Sequence, residues 1–150
     1  MPYKTWATND PVSAADLNAM TADASQADVA TSEATASTSY TDLATVGPAV
    51  TVTLVAGQGC LVAVSCRHAN SVGGSGNAGF MSFAVSGAET DAAVDADAIV
   101  SLATTSTEQT TTRMAWYVAG TTGSHTFTAK YKASNNTSTF RERRIVVKKF

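Results

Sequence analysis

Charge, leucine and long apolar runs are all scarce in this sequence. Asp, Glu, Lys and Arg make up 15% of its 150 residues. No apolar run approaches the roughly 20 residues that span a membrane, so no membrane partner is expected. The opening MPYKTWATNDP has no apolar h-region, so no secretory signal is expected and synthesis in a cytoplasm is inferred. The sequons at Asn135 and Asn136 then carry little weight. Cysteine is limited to Cys60 and Cys66. In one strand they would stand about 20 Å apart, whereas a disulfide needs Cα atoms within about 7 Å. Both are expected as buried free thiols on one face with Val62 and Val64. A chain this long can bury roughly 70% of its unfolded surface, so it needs neither disulfide nor metal for a core.

Recognisable reaction chemistry is missing too. The loop Gly73-Gly74-Ser75-Gly76 lacks the Lys-Ser/Thr and following helix of a phosphate-binding loop. Glu89, Asp91, Asp95 and Asp97 share one loop, but the EF-hand glycine and terminal Glu are absent. That favours a solvated acidic loop over a hard-cation site. His68 and His125 read as a strand-end and a turn histidine, since no spacing ties them to Ser65, Cys66 or Asp95. A glycosidase needs two opposed carboxylates, and the acids gather in that one loop and near the N-terminus. No catalytic residue, cofactor or metal is assigned, and the chain is expected not to be an enzyme.

What is present is β-forming sequence. Thr, Ser, Ala and Val dominate, and many β-branched and small residues argue for an all-β body. Residues 113–134 give the strongest signal. Met114, Trp116 and Val118 alternate with Arg113, Ala115 and Tyr117. Phe127, Ala129, Tyr131 and Ala133 alternate with Thr126, Thr128, Lys130 and Lys132. With a Gly/Thr/Ser turn at 120–124, this predicts a half-buried hairpin at the core. Residues 60–69 are apolar on both faces until Arg67 and His68, which predicts a central strand covered on both sides. Further strands are expected at 40–44, around Val50, Val52 and Leu54, at 80–86 with Met81, Phe83 and Val85 on one face, and at 99–102. The last, 140–150, opposes Ile145 and Val147 to Arg144, Val146 and Lys148. Residues 104–112 read as a polar loop or edge strand. About eight strands at this spacing predict an antiparallel jelly-roll-like β-sandwich over residues 31–150.

Residues 1–30 read as an arm and a short helix that attach or oligomerise the domain. Pro2 and Pro11 discourage regular structure, and Asn9-Asp10-Pro11 signals a turn. Ser13-Ala14-Ala15-Asp16 is a weak capping box. It opens a run in which Leu17, Met20, Ala24 and Ala27 make one narrow apolar stripe. A stripe this thin needs an outside surface to dock on. Tyr3 and Trp6 either fold back on their own domain or anchor the arm in a neighbour. Charge is unevenly placed: only Lys4 and Arg67 among the basic residues precede Arg113, and only Glu142 among the acids follows it. Arg141, Arg143, Arg144, Lys148 and Lys149 form either a solvated strand face or a contact surface for an acidic partner. Lys and Arg are spread along strands with no recognition helix, so nucleic acid is not expected as a partner.

The start Trp6…Asn9-Asp10…Val12-Ser13-Ala14-Ala15-Asp16-Leu17-Asn18 resembles the W-x-x-G-D-x-V-T-A-A-D-L-N opening of small virion proteins from tailed phages of actinobacteria. Asn9 stands where that group commonly has Gly. Ser37-Thr38-Ser39-Tyr40-Thr41-Asp42-Leu43-Ala44-Thr45-Val46-Gly47-Pro48 is similar to its β-domain. So are residues 81–87, Phe127-Thr128-Ala129-Lys130-Tyr131 and Arg143-Arg144-Ile145. The resemblance implies a virion structural part, located in the particle. It is expected as a head decoration protein that binds the major capsid protein and itself, as a homotrimer. The alternative is a minor tail or tail-tip module beside a tail protein, binding a host-surface receptor. Tyr3, Trp6, Leu17, Met20, Arg141, Arg143 and Arg144 are the expected partner contacts.

Overall fold

The computed structural model of the chain describes residues 24–72, 76–102 and 107–150. The proposed arm, the helix start at Ser13, and Tyr3, Trp6, Leu17 and Met20 lie outside these, as do Gly73, Gly74 and Ser75. The described residues form strands β1 (Ala24–Val29), β2 (Glu33–Thr35), β3 (Ala49–Leu54), β4 (Gly59–Asn70), β5 (Gly79–Gly87), β6 (Ile99–Ser101), β7 (Gln109–Val118), β8 (Gly123–Ala133) and β9 (Ser138–Lys149). A single 3-10 turn, Asp95–Asp97, lies between β5 and β6.

The strands make two antiparallel sheets. One runs β1-β9-β4-β7, with β2 also on β9; the other runs β3-β8-β5-β6. From β2 onward every connection passes to the opposite sheet except β5 to β6. That winding is a jelly roll, as the spacing of apolar segments predicts. Alternation drives it: in β3, Val50, Val52 and Leu54 are buried and the threonines between them are not, because successive strand side chains face opposite ways. Cys60, Val62, Val64 and Cys66 of β4 and Ile145 and Val147 of β9 meet Met81, Phe83, Val85, Phe127, Ala129 and Tyr131 across the sandwich. Both cysteines are free and buried. Desolvation pushes the Cys60 thiol up to about 11 and that of Cys66 up to about 12.

Several expectations are corrected. Residues 24–29, read as the end of a helix, are a strand on β9 in the register Ala24↔Lys148 to Val29↔Arg143. The β9 edge gives that backbone a full ladder of partners, which a stripe of alanines cannot match by burial. Residues 40–44 are not a strand; only Thr41 bridges, to Tyr131. The predicted hairpin at 113–134 is two strands of different sheets. β7 pairs with β4, β8 pairs with β3 and β5, and the turn between them crosses the core. On β7 the faces are also reversed. Ala115 points inward, Tyr117 is half-buried, and Met114, Trp116 and Val118 are exposed. Tyr117 packs edge-on against Phe127 at 5.1 Å between ring centroids, and the indole of Trp116 occupies the space over Gly59. A Cβ on Gly59 would lie 2.1 Å from that ring.

Arg143 and His68 also differ from expectation. The β4–β9 register shifts between Ser65 and Arg67. Opposite it, Glu142 takes a left-handed φ of 51°. This bulge lets Phe140 and Arg143, three apart, both point inward, and Arg143 is fully buried. His68, expected at a strand end, is also fully buried. Its ring lies 5.0 Å from that of Phe140 and over Gly79, where a Cβ would fall 1.9 Å from Nε2.

Candidate functional site

The two sheets present unlike outer faces. That of the β3-β8-β5-β6 sheet is built from Thr51, Thr53, Thr126, Thr128, Lys130 and Lys132. The Thr51 and Thr126 hydroxyls meet at 2.8 Å, Lys130 reaches Asp42 at 2.7 Å, and Lys132 reaches Asp95 at 2.7 Å. This is the solvated face normal to an antiparallel sheet. The β1-β9-β4-β7 sheet is apolar over part of its outer side, toward the end that carries Trp116. Registers place Trp116, Leu61, Lys148 and Ala24 in one outer row, and Met114, Ala63, Val146 and Gln26 in the next. Met114 is 61% exposed, Trp116 59%, Val118 51% and Phe150 44%. Trp116 and Phe150 stack at 5.3 Å, with the Lys148 ammonium 5.4 Å from the Phe150 ring centre. An exposed apolar cluster of this kind is a candidate interaction surface. β7 is also the edge of its sheet, so alternate backbone N–H and C=O groups point away from β4.

The basic cluster of β9 is largely engaged within the subunit. Arg141 pairs with Glu108, which also takes Arg67 at 2.7 Å. Arg144 pairs with Asp28. Arg143 donates to Glu33 at 2.9 Å and to the Thr31 carbonyl at 3.3 Å, and lies 5.4 Å over the Tyr131 ring. The Thr45 hydroxyl, then the Thr45 amide and Arg143, hold the Glu33 carboxyl below its usual range. Arg143 is thus taken up inside the subunit. Lys148 and Lys149 make no ion pair among the described residues.

Among the described residues His125 is the histidine that lies near a carboxylate. Its Nδ1 lies 3.0 Å from the Gly123 carbonyl and its Nε2 3.3 Å from Glu89. Glu89 also accepts from the Tyr117 hydroxyl and, at 3.0 Å, from the Gly120 amide. The Tyr117 bond, then the Gly120 amide, hold its carboxyl below the usual range. Through these contacts Glu89 ties the 88–98 segment to the β7–β8 turn. Asp95 is likewise held down by Lys132 and Tyr40. Among the described residues no three His, Cys, Asp or Glu are placed to hold a metal ion. Nor, among them, is any helix long and apolar enough to cross a membrane. Two shallow hollows, of ≈ 190 Å³ beside Asp28 and Arg144 and ≈ 180 Å³ beside Asp91 and Asp97, fall short of the roughly 300 Å³ at which ligand pockets begin.

The apolar face around Trp116 escaped the sequence reading because it was assigned to the core. A usable signal lay in β4, whose outer residues Leu61 and Ala63 require cover. Of the expected contact residues, Arg141 and Arg144 are at the surface in ion pairs, Arg143 is internal, and Tyr3, Trp6, Leu17 and Met20 are outside the described residues.

No family model matches the chain, and no curated protein matches it. Among solved structures it is similar to a chain in the structure of infectious bursal disease virus, Gt strain. Identity is 13% and the TM-score 0.50, over 86% of this chain and 33% of that one. It is more distantly similar to dimeric latent PorU from Porphyromonas gingivalis, at 12% identity and a TM-score of 0.37, over 82% of this chain and 13% of that one. The chain therefore spans a third or less of the length of either, and the first likeness is one of fold.

Proposed function

We propose that this chain is a non-enzymatic structural protein of a virus particle: a head decoration subunit of a tailed phage. Residues 1–23 attach it to the assembled lattice of the major capsid protein and to further copies of itself, most simply as a homotrimer. The observation that carries this reading is the jelly roll, similar in fold to a chain of a virus structure, with an apolar sheet face left exposed among the described residues. The opening motif from Trp6 to Asn18 supports a phage origin. The internal engagement of Glu89, His125 and Asp95 supports a role without catalysis. The mechanism is mass action: a subunit that binds the assembled lattice and not its free components stabilises the lattice.

Antibody labelling of purified particles tests the reading. Label over the head faces is the expected result. Label confined to the tail tip replaces decoration with a receptor-binding tail module, and particles without label overturn both.

A further inference from the structure

We propose that the outer face of the β1-β9-β4-β7 sheet, centred on Trp116, receives residues 1–23 of a neighbouring copy of this chain. The inference rests on the arm-mediated attachment above and adds the surface that accepts the arm. Three observations point to that occupant. The face needs cover: Met114, Trp116 and Val118 line the free edge strand, and Leu61, Ala63 and Val146 continue the apolar surface inward. Outer apolar faces of sheets are ordinarily packed against something. The segment of chain outside the described residues carries apolar groups, Tyr3, Trp6, Leu17 and Met20, that need a surface of this kind. It also carries Asp10, Asp16 and Asp23, which complement Lys148 and Lys149, the two bases of β9 without an ion pair among the described residues.

Strand direction selects a neighbour over the same subunit. Ala24 pairs with Lys148, so the chain enters β1 at the sheet end where Phe150 lies. A straight continuation leaves the sheet there, whereas docking on its own face requires an immediate reversal. An arm passed to the next copy in one sense makes a heterologous contact, which closes into a ring when the rotation allows.

Cross-linking of the full chain tests this, because the native thiols are buried. Trp6→Cys and Met20→Cys variants are each mixed with a Val118→Cys variant and mildly oxidised. The expected result is a covalent dimer in at least one mixture and in none of the variants alone, with association weakened at least ~10-fold by Trp116→Lys. An intrachain bond at monomer mass in the double variants, with no dimer in the mixtures, places the arm on its own subunit and overturns the proposal. So does the absence of any cross-link in protein whose circular dichroism matches the wild type. Particle labelling reads the virion assignment separately: labelled heads without a cross-link discard this receiving surface alone.

Discussion

His68 is a titratable ring buried in the core. The ring packs between Phe140 and Gly79, and its nitrogens have no hydrogen bond of good geometry among the described residues. Desolvation is the main cause of a pKa lowered to about 4, with Asn70 opposing it. The unfolded chain protonates this ring near pH 6.5 and the folded chain does not until about pH 4. Its stability contribution is therefore complete above pH 6.5 and is lost as the pH falls from there toward 4. The difference amounts to about 3 kcal/mol. Urea unfolding at pH 7.5 and 4.5 should show a loss of that order, and His68→Phe should remove most of it. A variant with the wild-type pH slope would show that the ring is hydrated. The depressed carboxylates of Glu33, Glu89 and Asp95 add a separate loss that begins as the pH falls into the ordinary carboxylate range and grows below it. Sequence gave no hint of this burial: a His after Arg67 near a predicted strand end looks solvated. Only the spatial meeting with Gly79, eleven residues on, makes room for it. The buried thiols were legible, because strand alternation alone puts Cys60 and Cys66 beside Val62 and Val64.

Among the elements, β9 and β7 show where local pattern stops deciding. Alternation locates a strand and its two faces but does not say which face is inward, and one residue of register reverses the choice. On β8 the inner set, Phe127 to Ala133, was plain because its opposite face is Thr and Lys. On β7 both faces hold apolar residues, and the larger set went outward to cover Gly59. The alternating runs around a Gly-rich turn were legible too, but a crossing between sheets has the same local signature as a hairpin. In β9 the bulge at Glu142 turns Arg143 inward to Glu33, which pins β2 and the Thr45 loop against the sheet. Removing one member of a buried pair costs roughly 3–5 kcal/mol, whereas an exposed pair is worth about 1 kcal/mol at most. Arg143→Ala should therefore lower the stability measured by urea by about 3 kcal/mol, and Arg144→Ala, at the exposed pair with Asp28, by less than about 1 kcal/mol. Equal losses would mean that Arg143 reaches water.

Over the whole molecule, the acidic first part and basic last part of the sequence are brought together by the winding of the jelly roll. Asp28, Glu33, Asp42, Asp95 and Glu108 each meet a base from β8 or β9. The charge asymmetry that suggested docking is largely satisfied within one subunit, which leaves apolar contact as the stronger drive for association. The same winding closes a core from residues 24–150, since β1 supplies Ala27 to it and covers the edge of β9. Removing residues 1–23 should thus leave thermal unfolding within about 2 °C of the full chain. Removing residues 1–29 strips Ala27 and Val29 from the sheet, a loss of ~2 kcal/mol, or a fall in Tm of roughly 4–8 °C. Circular dichroism melts of the two truncations separate these outcomes. If the shorter truncation lowers Tm as far as the longer one, residues 1–23 pack on their own sandwich. The apolar face around Trp116 would then be covered from within, and a neighbouring copy would have no place on it.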